Sequence, residues 1–397
     1  MLTLVQALDA LLAGARVVPD TETVDTLAAN GRVLAAPVTS TLRVPPADNT
    51  AMDGYAVRAA DITAPGVRLP VSQRIPAGHV GAALAAGTAA RIFTGGLIPP
   101  GADAVIMQEQ CAADGDAVVI RHVPKAGEWI RRAGEDIEAG SVILPAGTRL
   151  TPQAMGLAAS VGQATLEVRR RTRVAVFFTG DELAMPGEPL KPGAIYNSNR
   201  FTLRGLLENL GCEVTDFGIV PDTLAATRET LRRAAAGHDV ILTSGGVSVG
   251  EEDHVRPAVL AEGRLDLWQI AIKPGKPLAF GAVGDAAFLG LPGNPVSSFV
   301  TFLLFVRPFL LRMQGVQAVV PRRLPLRADF DLTRGDRRNE FLRARINAEG
   351  GLELFPNQSS GVLTSTVWGD GLIDNPPDHP IRRGDLVPFI PFQGLLD

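Results

Sequence analysis

The sequence predicts a multidomain chain: a central α/β domain with a mostly parallel sheet, β-rich N-terminal domains before it, and a small β-barrel or sandwich at the end. Three observations predict this. Between about residues 172 and 315, short apolar runs alternate with amphipathic stretches of roughly 10 to 15 residues, the pattern of βαβ units whose sheet carries helices on both faces. From about residue 16 to 150, short Val/Ile/Leu runs are separated by Pro-Gly, Asp-Gly and Gly-Gly breaks, as small twisted sheets require. After Gln314 the helical period disappears and four or five β-like stretches remain. A chain of 397 residues exceeds what one core supports. The expected division is 1–171, with an inserted β-rich subdomain at about 46–137, then 172–315, then 319–397.

Taken in order, Leu2, Val5, Leu8, Leu11 and Leu12 have helical spacing and predict a short amphipathic helix ending near Gly14. Val118-Val-Ile and Ser141-Val-Ile-Leu read as strands of the β-rich part. Thr151 and Pro152 form an N-cap and N1 pair for a helix running to about Ser160, with Gly162 as its stop. The α/β series then reads strand Val174 to Phe178, helix Asn199 to Leu210, strand Cys212 to Val220, helix Leu224 to Ala236 and strand Val240 to Thr243. A helix near Asp253 to Ala261, strands through Ile270, Phe280 and Phe288, and a long helix from Ser297 complete it. The last module is expected to hold strands at Phe341 to Ile346, Leu352 to Phe355, Val362 to Val367 and Leu386 to Phe392.

Composition narrows the function class. A net charge of −4 offers no basic field for nucleic acid or anionic lipid. Cys111 and Cys212 are too few for a disulfide framework or a zinc ribbon and suit a reducing compartment. The start, Met1-Leu-Thr-Leu-Val-Gln-Ala-Leu-Asp, lacks a basic leader, and the most apolar run, Phe299 to Leu311, is interrupted by Arg307 and Pro308, too short to cross a bilayer. A cytoplasmic enzyme with no membrane contact is the expectation.

In an open parallel sheet, ligands bind beyond the carboxyl ends of the strands. Here those positions are polar: Thr179-Gly-Asp181-Glu182 after the first strand, Pro221-Asp222 after the second, and Ser244-Gly245-Gly246-Val-Ser248-Val-Gly250 followed by Glu251, Glu252 and Asp253 after the third. A later turn, Lys273-Pro-Gly-Lys276-Pro, carries two ammonium groups between rigid residues, and Pro292-Gly293-Asn294-Pro295 begins the long helix. Free N–H groups in the 245–250 loop favour an anion, although a tight strand-to-helix turn explains that loop equally well. Gly246-Val-Ser248-Val-Gly250 also satisfies the nucleophile-elbow pattern of serine hydrolases, but an elbow needs a later acid and then a histidine, and His254 is too near in sequence while His379 lies in the β-rich tail. The carboxylates at this edge could hold magnesium through oxygen ligands; helix capping is the competing account. The five histidines show no metal-ligand spacing.

Several strings together resemble the molybdopterin molybdenumtransferases, the MoeA family, to which the E domain of gephyrin also belongs. They are Asp48-Asn-Thr-Ala-Met-Asp53-Gly-Tyr-Ala-Val57, Thr94-Gly-Gly with Pro100-Gly-Ala-Asp-Ala-Val105, Ala133-Gly-Glu-Asp136-Ile, Thr179-Gly-Asp-Glu182-Leu, Ser244 to Gly250, Lys273 to Pro277, and Leu291-Pro-Gly-Asn-Pro295. The resemblance runs from about residue 1 to 395.

It implies insertion of molybdenum from molybdate into adenylylated molybdopterin, with release of AMP in a magnesium-dependent step. It also implies elongated homodimers, an encounter with the upstream molybdopterin adenylyltransferase, and a last β module further from the chemistry. Position by position it implies a site built from Asp53, Thr94, Asp136, Glu182, Asp222, Asp253, Lys273 and Lys276. Ser244, Gly245, Gly246, Ser248, Gly250, Pro292, Gly293, Asn294 and Pro295 would receive substrate. Glu182 and Asp253 would hold magnesium or orient water, the two lysines would offset oxyanion charge, and Asp53, Thr94 and Asp136 would come from the other subunit. Many relatives carry lysine where this chain has Gln269, which removes one positive charge. A serine hydrolase acting through Ser248 and a non-enzymatic gephyrin-like scaffold are the alternative functions.

Overall fold

The computed structural model describes residues 1–246 and 254–396. The chain opens with a helix at Leu4–Ala13, whose start is fixed by a capping box between Thr3 and Gln6. Its Ala7 and Leu11 are buried against the core of the α/β domain. A strand at Thr21–Asp25 pairs antiparallel with Thr165–Arg169, and between them the chain makes a six-stranded sheet from segments lying between Gly54 and Ile120. The helix Pro152–Ser160 forms as expected, with Thr151 accepting a hydrogen bond from the Ala154 N–H and Pro152 in its first turn.

In the α/β domain the strands are β1 (Arg173–Thr179), β2 (Glu213–Val220), β3 (Val240–Ser244), β4 (Gly263–Gln269), β5 (Pro277–Val283) and β6 (Ala286–Leu291). Their order across the sheet is β2-β1-β3-β6-β5-β4. The first four are parallel to one another, while β5 and β4 are antiparallel additions. Helices are α1 (Ser198–Asn209), α2 (Leu224–Ala235), α3 (Val255–Glu262) and α4 (Pro295–Met313). Alternate residues of β1 serve opposite faces: Val174, Val176 and Phe178 pack with α1 and α4, whereas Ala175 and Phe177 pack with α2 and α3.

The run around Arg307 and Pro308 is not a break. Helix α4 continues through it, nineteen residues long and 94% buried, and it is the one helix among the described residues long and apolar enough to span a bilayer. Proline cannot donate to the carbonyl four residues back and crowds it; a π-helical turn at Phe302–Val306 accommodates the conflict.

The C-terminal sheet contains Leu324–Arg327, β7 (Asn339–Ile346), Leu352–Leu354, Gly371–Asn375 and Leu386–Pro391. One expected strand is absent: Val362 to Val367 contains a helical turn, Thr364–Trp368. Its β-branched composition suggested a strand. Instead the Ser365 and Thr366 hydroxyls donate to the carbonyls of Val362 and Leu363, and Trp368 packs edge-on to Phe355. This sheet also takes a strand from the preceding domain, since Ile272–Lys273 pairs parallel with Asn339 and Glu340 of β7.

Candidate active site

The parallel strands end together at one sheet edge. Register places Phe178 beside Ser244 and Ser244 beside Leu291, while Thr179 lies beside Val220. The chain leaves β1 toward β2 on one side and β3 on the other, so this edge is the topological switch point of the sheet. Thr179 Oγ1 donates to Asp222 Oδ1 at 2.9 Å, joining the ends of β1 and β2. Ser244 is 3% exposed; its Oγ donates to the Pro292 carbonyl at 2.9 Å and accepts from Asn199 Nδ2 at 2.8 Å. The same amide group of Asn199 donates to the Gly293 carbonyl, so the start of α1 ties two turns at this sheet edge together. Gly245 and Gly246 have φ of 97° and 64°, which a side chain would disfavour, and they turn the backbone sharply at the mouth.

These ends line a cavity of about 650 Å³. Thr179, Glu182, Asp222, Gly245 and Gly246 form one wall; Lys273, Lys276, Pro292, Gly293 and Asn294 form the next. The C-terminal module supplies Arg338, Gln358, Ser359 and Ser360. This departs from the expectation that the module lies away from the chemistry. The cause is the shared strand at Ile272–Lys273, which draws the lysine turn onto β7.

Pairing on β7 decides the electrostatics. Lys273 Nζ donates to Glu340 Oε1 at 3.0 Å and lies 3.2 Å from Asp336 Oδ2. Burial pulls the Lys273 pKa down, but the bonds to Glu340 and Asp336 outweigh it and leave it raised. Asp336 also accepts from Arg338, whose guanidinium holds the Asp336 carboxyl well below the usual range against the opposing effect of burial. Lys276 is exposed, and no carboxylate among the described residues pairs with it. Of the two expected cations, Lys276 is therefore the one without a carboxylate partner among the described residues.

Three N-terminal motifs are drawn together, away from this cavity. Asp53 Oδ1 accepts from both the backbone N–H and Oγ1 of Thr94, each at 2.7 Å, and these bonds hold its carboxyl below the usual range. Asp48 accepts from the Ala133 N–H at 2.8 Å and from Arg132, which brings the Asp136 segment alongside. Asp53, Thr94 and Asp136 do not line the cavity of their own chain. Gln269, too, is outside the lining. Ser248, Gly250 and Asp253, with Glu251 and Glu252, lie outside the described residues. Asn294 occupies the N-cap position of α4 with Pro295 in the first turn, as expected, but its side chain makes no capping bond. Sequence reasoning missed Asn199, Arg338, Gln358, Ser359 and Ser360. The polar start of α1, Asn197-Ser-Asn199, was a usable signal; the other four have none.

Patterns of one family cover the chain in succession. The MoeA N-terminal region (domains I and II) matches residues 2–162, the probable molybdopterin binding domain matches 175–312, and the MoeA C-terminal region (domain IV) matches 325–392. The chain belongs to the MoeA family. It is 42% identical to the molybdopterin molybdenumtransferase of Haemophilus influenzae, with each chain covered in full, and 40% identical to that of Nostoc over 89% of this chain and 84% of the relative. The crystal structure of the molybdopterin biosynthesis MoeA protein of Pyrococcus horikoshii superposes with a TM-score of 0.85 at 32% identity, over 98% of this chain and 99% of that one. Membership of the MoeA family leaves the serine-hydrolase alternative through Ser248 without support, and the cavity at the sheet edge falls between the family's molybdopterin-binding and C-terminal regions.

Proposed function

We propose that this chain inserts molybdenum from molybdate into adenylylated molybdopterin, releasing AMP and forming molybdenum cofactor. The observation that carries the reading is a single cavity at the switch point in which cationic Lys276 and Arg338 face carboxylates Glu182 and Asp222, in a chain whose curated relatives bear that enzymatic name. The Gly245 N–H is already given to the Leu291 carbonyl, so the backbone N–H groups of Gly246 and Gly293 are the ones that suit phosphate or molybdate oxygens, and Lys276 supplies the offsetting charge. Glu182, exposed at the mouth, orients water toward the anhydride phosphorus.

The donor set fits magnesium in one respect: that ion takes one or two carboxylates with waters and substrate phosphates, and Glu182 and Asp222 are carboxylates at one edge. Among the described residues there is no group of three or more acidic, His or Cys side chains that could hold a metal without substrate. Glu182 and Asp222 would hold it, with Asp253 as the third candidate, and a bound ion would neutralise phosphate charge as AMP leaves. We also propose a homodimer in which Asp53, Thr94 and Asp136 of one subunit complete the cavity of the other, a cytoplasmic location, and an encounter with the adenylyltransferase that makes the substrate. Support for the dimer is that these three N-terminal residues belong to motifs bonded to one another yet do not line the sheet-edge cavity of their own chain.

Incubation with adenylylated molybdopterin, magnesium and molybdate tests the activity. Molybdate-dependent AMP release is expected; its absence from correctly folded protein rejects the proposal.

A further inference from the structure

Arg343, on β7, is 1% exposed and has no carboxylate partner among the described residues. Its Nε donates to Ser365 Oγ at 3.1 Å, Nη1 to the Phe341 carbonyl at 3.2 Å, and Nη2 to the Ser359 carbonyl at 3.3 Å. All three acceptors are neutral, and burial pushes the guanidinium down to about 10. A buried cation held only by neutral oxygens is an expensive way to fill a core, where an apolar side chain of similar volume would serve as well or better.

What the arrangement fixes is the segment Gln358–Ser360. The guanidinium bond to the Ser359 carbonyl adds to two bonds on the main chain of the same residue: the Gln358 side chain accepts from the Arg343 backbone N–H and donates to the Arg343 backbone carbonyl, each at 2.9 Å. Gln358, Ser359 and Ser360 all line the cavity. The Ser360 carbonyl accepts the Val296 N–H at 3.0 Å. Val296 stands in the first turn of α4, where helix N–H groups have no partner within the helix, and Asn294 provides no side-chain cap. The C-terminal module thus caps the helix whose start, Pro292 to Asn294, forms the opposite cavity wall.

We propose that Arg343 is a positioning residue for the substrate cavity, holding the Gln358–Ser360 segment against the start of α4 so that both walls keep the spacing the anion requires. The proposal rests on reading that cavity as the site for adenylylated molybdopterin and molybdate. It separates from a purely structural role by sign. Replacing the buried cation with an unbranched apolar side chain, Arg343→Met, removes the desolvated charge, which offsets the loss of its hydrogen bonds and keeps the melting temperature near the original, and it frees Ser359 while the two main-chain bonds to Gln358 remain.

The test uses full-length protein. For Arg343→Met we expect hydrogen exchange of the peptide spanning residues 292–300 to accelerate at least about fivefold without substrate. We expect KM for adenylylated molybdopterin to rise about tenfold while kcat stays within about twofold. Arg343→Lys, which keeps the charge but concentrates its donors on one nitrogen, should restore part of both effects, and it carries the test if the Met variant does not fold. A lower melting temperature with unchanged exchange and unchanged KM overturns the proposal. The exchange measurement needs no turnover, so wild-type protein that releases no AMP would reject the proposed activity while leaving this coupling to be judged on exchange alone.

Discussion

Lys273 Nζ lies 3.0 Å from Glu340 Oε1, across the boundary between the α/β domain and the C-terminal sheet. Asp336 adds a second carboxylate at 3.2 Å. A lysine matched in this way offers an incoming oxyanion little net charge until the clasp loosens. Glu340→Gln keeps a hydrogen-bond acceptor and removes one negative charge, so molybdate should bind more tightly, with KM about three- to tenfold lower. An unchanged KM for molybdate would mean that Lys273 serves the domain junction and not the oxyanion.

Glu182 is exposed at the cavity mouth. Removing its charge should cost chemistry and not folding, because exposed side chains away from packing contacts contribute little to stability. Glu182→Gln is expected to lower turnover at least about tenfold, about 1.4 kcal/mol of barrier, with an unchanged melting temperature. Steady-state AMP release beside thermal denaturation checks both halves.

The parallel part of the sheet was legible because β1 and β3 are continuous apolar runs and α1 and α2 show helical spacing, both local signals. The turns at Thr179, Ser244 and Pro292 followed from those strands, since polar residues directly after buried strands must lie at the sheet edge. Arg338, Gln358, Ser359 and Ser360 were not legible. They reach the cavity through long-range contacts, the bond from the Val296 N–H to the Ser360 carbonyl and the pairing of Ile272–Lys273 with β7, whose Lys273–Glu340 bond joins segments some 67 residues apart, and no local pattern encodes such contacts. The Val362 to Val367 segment failed for a related reason: β-branched composition suggested a strand, but hydroxyl bonds to nearby carbonyls favour a helical turn. Helix α4 passed through Pro308 because tertiary burial outweighs the local cost.

Gly275 gives a sharper test of the lysine turn. Its φ is 111°, and an added Cβ would stand 2.5 Å from Thr301 Oγ1 on α4, an atom that already lacks a hydrogen-bond partner among the described residues. Gly187 also has positive φ, at 95°, but nothing lies within 4 Å of its notional Cβ. Gly275→Ala should destabilise by about 1–3 kcal/mol, and Gly187→Ala by less, the difference isolating the contact from the backbone preference. Denaturant unfolding of the two variants measures it.

Acid should weaken the junction in a defined window. The Arg338 guanidinium, opposed by burial and aided by Lys273, depresses the Asp336 carboxyl below its ordinary 3.8. A depressed folded-state pKa gives stabilisation that is complete above the unfolded value and disappears as pH falls through the folded one. The stability difference between wild type and Asp336→Asn should therefore be constant above about pH 5 and shrink below about pH 3.8. For Lys273, whose pKa is raised above 10.5, the contribution is complete below that value and lost as pH climbs through the folded one. Urea unfolding of both proteins from pH 3 to 7 checks the acid limb; a difference independent of pH would refute the depressed Asp336 value.

Asp53 is bonded to Thr94 and Glu182 faces the cavity, yet within one chain they do not share a site. If the site is completed between subunits, each residue serves a cavity whose other half belongs to its partner. Asp53→Asn and Glu182→Gln homodimers should then both be weak. A mixed dimer carrying one substitution on each subunit contains one intact composite cavity and one doubly altered cavity, because two-fold symmetry places the two sites reciprocally. Co-expression with different affinity tags isolates that species. Its AMP release should return to about half the wild-type rate per dimer. If both residues served the cavity of their own subunit, every cavity in the mixed dimer would carry one lesion, and its rate would only average those of the two parent variants.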